Sequence, residues 1–142
     1  MKTLTLLGAL LAGALVSAGC GHLDTTAAGP ADRVLTGEVN YGEAASLPDN
    51  AVVTVRIVDK SNPAAPMTVL GETSIMHPGP GPVPFRIEYR AEDDVLMHQV
   101  NVEARIAIGG KLRFLSVSGH PLTLDNCHDT HVVQVEPAGA WR

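Results

Sequence analysis

The sequence predicts an all-β chain folded as a small antiparallel β-sandwich of about seven strands. Apolar and polar residues alternate at period two over stretches too short for ordinary helices. Gly, Pro, Asn and Asp cluster between those stretches at the spacing of strand connections. No long helical periodicity competes with this pattern. With 142 residues, 45% of them hydrophobic, the chain suits one packed domain and is too short for two ordinary ones.

The elements follow in order. Leu35, Gly37, Val39 and Tyr41 alternate with Thr36, Glu38 and Asn40, giving a first strand. After the Leu47-Pro48-Asp49-Asn50 turn, Ala51 to Asp59 is a second strand with Val53, Val55 and Ile57 on one face and Thr54 and Arg56 opposite. The Lys60 to Pro66 loop leads to a third strand over Met67 to Ile75. His77 to Pro84 cannot lie in a central strand, because its prolines lack the donor that a ladder needs. Phe85, Ile87 and Tyr89 against Arg86, Glu88 and Arg90 make the fourth strand. Ala91 to His98 is a charged connection with room for one helical turn. Val100 to Ile108 carries the most regular alternation in the chain. Gly109-Gly110 supplies the positive φ angles of a tight hairpin, and Lys111 to Val117 returns as its partner. A last strand covers about Thr130 to Val135, after the Pro121 to Asp129 loop.

Ahead of these strands stands a leader with the three parts of an export signal: Lys2, the apolar run Leu4 to Val16, and the small residues Ser17, Ala18 and Gly19. The run falls short of the roughly 20 residues that a permanent transmembrane helix requires. Val16-Ser17-Ala18-Gly19-Cys20 resembles the lipobox of bacterial lipoproteins, in which the cysteine thiol receives a diacylglycerol and becomes the new N-terminus. Two cleavage readings fit. Processing before Cys20 leaves a lipidated end, whereas ordinary signal peptidase cuts after Ala18 and leaves Cys20 free to pair with Cys127. Lipoproteins retained at the inner membrane often carry Asp after the cysteine; here Gly21 follows, so in a Gram-negative host the resemblance implies sorting to the outer membrane with the domain in the periplasm. The chain thus divides into a signal (1–19), a small polar tether (20–33), the sandwich (34–136) and a short tail (137–142).

A formal net charge of −5 and the lack of a long basic cluster argue against nucleic-acid binding and against a polybasic membrane patch. Aromatic residues make up 4% of the chain, too few for a stacking platform for bases or sugars.

Leu35-Thr36-Gly37, Leu47-Pro48, Ala51 to Val55, Asp59-Lys60-Ser61, Pro82 to Phe85 with Tyr89, Ala104-Arg105-Ile106, and Gly110 with Leu112 and Phe114 together form an ordered pattern. On these residues the chain resembles the YbaY/YscW-type lipoprotein family over about residues 34 to 118; the segment after Leu124 lies outside the pattern. The resemblance implies a periplasm-facing β-sandwich behind a lipid anchor. It also implies a pilotin-like role, as in some members, escorting a secretin subunit of a type III secretion system to the outer membrane, with no cofactor beyond the lipid on Cys20.

The residues offer two further sites. Val52 and Val58 point away from the Val53, Val55 and Ile57 face, and Leu70 and Leu115 likewise add apolar side chains on a second face. Such surplus is either internal closure or a surface that another envelope protein covers. Cys127, His128 and His131, with His120 nearby, carry the donors of a copper or zinc site. That is the alternative function, a periplasmic metal-handling protein. Adjacent residues on a strand face opposite ways, so Cys127 and His128 converge only if the loop bends. An enzyme is not expected. No G-x-S-x-G elbow frames Ser116 or Ser118, and Gly79 and Gly81 alternate with prolines that remove the donors of a phosphate nest.

Overall fold

A computed structural model describes residues 30–42 and 46–139. The signal, Cys20 and most of the tether lie outside the described residues, as do positions 140–142. Eight strands and one helical turn follow in the order β1 (Arg33–Asn40), β2 (Ala51–Asp59), β3 (Thr68–Met76), β4 (Val83–Tyr89), α1 (Asp93–Leu96), β5 (Val100–Ile108), β6 (Lys111–Leu115), β7 (Thr130–Gln134) and β8 (Glu136–Pro137). They form two sheets, β4-β1-β7 and β3-β2-β5-β6-β8. The sandwich is thus as the alternation predicts, with one strand more.

One detail departs from the purely antiparallel expectation. β7 pairs in parallel with β1, placing Val133 beside Val39. A parallel pair needs a long connection, and here most of the chain separates the two strands. β7 then crosses to the other sheet through Val135, whose N–H bonds the Asn40 carbonyl, so that β8 pairs with β6. One side of the sandwich closes through this crossing.

Pro84 lies within β4, which starts at Val83 rather than at Phe85. The strand is at a sheet edge with only β1 as a neighbour in its sheet, the position where a strand tolerates proline. Gly109 and Gly110 have φ of 59° and 81°, the double positive turn that joins β5 to β6.

The core lies between the sheets. Val53, Val55 and Ile57 of β2, Val102, Ala104 and Ile106 of β5, and Leu35, Val39, Phe85, Ile87 and Tyr89 from the smaller sheet are all buried in it. Burying each such side chain is worth about 1.5–3 kcal/mol. α1 contributes Leu96, and the loop after β6 contributes Leu122 and Cys127. That loop also continues the ladder beside β5: Ser116 N–H bonds Ala104 O, Val102 N–H bonds His120 O, and Leu122 N–H bonds Val100 O.

Candidate partner-binding surface and the family

The outer face of the larger sheet is built from the side chains that alternate away from the core. Register fixes their neighbours. Met76 stands opposite Val52, Val52 opposite Ala107, and Ala107 opposite Leu112. An apolar row therefore crosses β3, β2, β5 and β6. At inter-strand spacings of about 4.8 Å it is roughly 15 Å long. Its ends are open, with Met76 67% and Leu112 47% exposed. Val52 and Ala107 are half-buried.

In the next row Ser74, Thr54, Arg105 and Leu115 align, with Leu115 36% exposed. Beyond it Arg56 and Lys60 both pair with Glu103, closing that end with compensated charge. A shallow depression lined by Thr54, Arg56, Glu103, Arg105 and Leu115 lies between the apolar and the charged rows.

The four apolar residues singled out from sequence occupy different places. Val52 and Leu115 lie on this outer face. Val58 is 0% exposed. It stands opposite Val69 at a register shift in the β2–β3 pair, and it is buried without belonging to the core between the sheets. Leu70 is the extra residue of that bulge on β3 and packs partly against the core. Alternation alone does not reveal Met76, Ala107 and Leu112. Their place in the row depends on pairing, and a bulge at Arg113 turns Leu112 onto the face of Leu115.

The Cys and His residues do not gather into one site. Cys127 is buried, its thiol donating to the Leu124 carbonyl at 3.4 Å and receiving a contact from Arg33 at 3.7 Å. Arg33 also bonds the Ala91 carbonyl at 2.8 Å and pairs with Asp93. His128 is exposed. His120 and His131 do meet, with Nε2 of His120 2.8 Å from Nδ1 of His131. The other nitrogen of His131, Nε2, lies 2.8 Å from the Asn126 carbonyl. A carbonyl only accepts, so His131 Nε2 carries the hydrogen, Nδ1 accepts, and His120 Nε2 donates. Burial, and then the neighbouring His131, hold His120 below the usual histidine range. Among the described residues no group of three His, Cys, Asp or Glu side chains is placed to hold a metal ion. The four residues of the alternative metal reading are thus not brought into one ligand set among the described residues, because the loop turns Cys127 inward and leaves His128 outside. Ser116 spends its hydroxyl accepting the Ala104 N–H at 3.0 Å.

No curated protein matches the chain. A solved structure does: an alternative pilotin from the type II secretion system of Vibrio cholerae. It is 33% identical, with a TM-score of 0.65, over 74% of this chain and 96% of that one. Residues 30–135 match the family described as type III secretion system lipoprotein chaperone (YscW). The match extends past Leu124 through the Cys–His loop to the end of β7, so that loop is part of the family domain. The chain belongs to the YscW family of type III secretion system lipoprotein chaperones.

Proposed function

We propose that the chain is a pilotin-like assembly lipoprotein: a lipid on Cys20 holds it at the periplasmic face of the outer membrane, and its sandwich binds a secretin-like subunit during delivery. The family and the pilotin neighbour support the assembly role. The two name different secretion systems, so the class of client is common to both readings and the system is not. The observation that carries the reading is the outward apolar row of Met76, Val52, Ala107 and Leu112. A row of apolar side chains on one face of a sheet, left open at both ends, is what a chaperone needs to hold an apolar segment of its client.

The test is assembly in the host with its own secretin. A Val52→Glu, Leu112→Glu double variant keeps the core intact and is expected to fold, as judged by circular dichroism. It should leave secretin multimers in the outer-membrane fraction reduced to the level of a strain without the gene. A folded double variant that supports assembly like the natural chain overturns the reading.

A further inference from the structure

β7 pairs with β1 only from Thr36 onward, so the loop ahead of β7 stands apart from the first residues of β1. The gap is a cavity of about 330 Å³, lined by Asp32, Arg33 and Val34, by Cys127 and His128 of the loop, and by Tyr89 of β4. Asp32 and His128 are exposed and form its rim. Cys127 is 3% exposed, yet two features set it apart from an inert core cysteine. Its sulfur lies 3.7 Å from Nη1 of Arg33, whose guanidinium is held by the Ala91 carbonyl and Asp93. It also borders this open cavity rather than packed side chains on every side. With Cys20 acylated, as proposed above, it is the one thiol of the mature chain, so no second cysteine draws it into a disulfide.

Tyr89 adds an independent observation. It is 1% exposed, and its hydroxyl has no hydrogen-bond partner among the described residues. Burial, and then the neighbouring Cys127, hold that hydroxyl above the usual tyrosine range, with Arg33 opposing. The groups acting on it, Cys127, Arg33 and Asp32, all line the cavity, so the hydroxyl points into it. A buried O–H donor without an acceptor is costly, and a thiol sulfur accepts only weakly. An oxygen bonded to that sulfur would meet both donors. We propose that Cys127 is an oxidation site for hydrogen peroxide, its thiol becoming a sulfenic acid whose oxygen accepts the Tyr89 O–H and an N–H of Arg33. The sulfur attacks one peroxide oxygen, and the S–O bond forms as the O–O bond breaks. The departing hydroxyl leaves as water with the thiol proton, which in the reduced chain is donated to the Leu124 carbonyl. Sulfur is oxidised and peroxide reduced. A thiol so little exposed admits a reagent of this size and excludes larger disulfides.

The test traps the product. The full chain is reduced, exposed to hydrogen peroxide together with dimedone, which captures sulfenic acids, then digested and mapped by mass spectrometry. The expected result is a dimedone adduct on Cys127 of the folded chain. Tyr89→Phe removes only the hydroxyl and should cut the adduct yield about tenfold with circular dichroism unchanged. An adduct that forms only after unfolding in urea makes Cys127 a closed core residue and overturns the proposal; this comparison needs no variant. Equal yield in a folded Tyr89→Phe chain removes the hydroxyl from the site and overturns it as well. A mixed disulfide formed on Cys127 by cystine, with no adduct from peroxide, overturns it in favour of thiol–disulfide exchange. None of these readouts depends on secretin assembly, so each outcome leaves the assembly reading to its own test.

Discussion

Gly37 occupies the middle of β1, between Phe85 of β4 and His131 of β7. A Cβ built there would lie 2.1 Å from the His131 carbonyl oxygen and 2.8 Å from the Phe85 ring. The first obstacle is backbone, so no rotamer change relieves it, and β7 would have to part from β1. Gly37→Ala is therefore expected to destabilise the domain by about 3 kcal/mol or more, a large share of the stability of a small domain. Urea unfolding measures it. A loss under about 1 kcal/mol would mean that the parallel β1–β7 pairing is looser than described. At this scale the sequence is readable wherever alternation holds: Val53, Val55, Ile57, Val102, Ala104 and Ile106 are core residues as the pattern predicts. It is unreadable where register slips or where a loop supplies the core. Val58 is buried beside the β3 bulge on the side of its strand away from the core, and Cys127 is buried from a loop without periodicity.

Among the elements, β2 and β5 are legible to within a residue of their ends because both pack one face on the core and expose the other. The excursion from Ser116 to Asp129 is not, since side-chain bonds rather than a period hold it. Asn126 accepts the Thr123 N–H through Oδ1 at 2.8 Å and donates to the Pro121 carbonyl at 3.0 Å, while its own carbonyl receives His131. His120 completes this staple between the excursion and β7. Because folding lowers the His120 pKa, the unfolded chain takes up a proton first as pH falls. Stability from this group is complete above the ordinary histidine value of about 6.5 and declines as pH drops below it toward the folded pKa. His120→Gln keeps an N–H donor for His131 but cannot titrate. Its melting temperature should fall less than that of the natural chain between about pH 7 and pH 5. Parallel curves for the two proteins would remove His120 from the account.

For the whole molecule, the lipid reading of Cys20 and the binding face assign placement and recognition to different parts of the chain. Cys20 lies outside the described residues. The first strand begins at Arg33, twelve residues after Gly21 in sequence. If Cys20 is lipidated as proposed, the domain searches a thin layer for its client, which raises the effective concentration without any new contact. Single-chain acylation alone anchors only marginally, so stable attachment through Cys20 would need more than one acyl chain. Two outcomes follow together. Mass spectrometry of the mature protein should give an N-terminal acylated Cys20, and Cys20→Ser should move the chain from the membrane to the soluble periplasmic fraction. The released chain should keep its fold, as judged by circular dichroism, yet fail to raise secretin multimers in the outer membrane. If it instead supports assembly fully from solution, placement is dispensable and recognition alone is the function. If the mature chain starts at Gly19 with Cys20 joined to Cys127, the anchor is lost and the Arg33–Cys127 contact must open to admit the disulfide, since Cys127 is buried against the core.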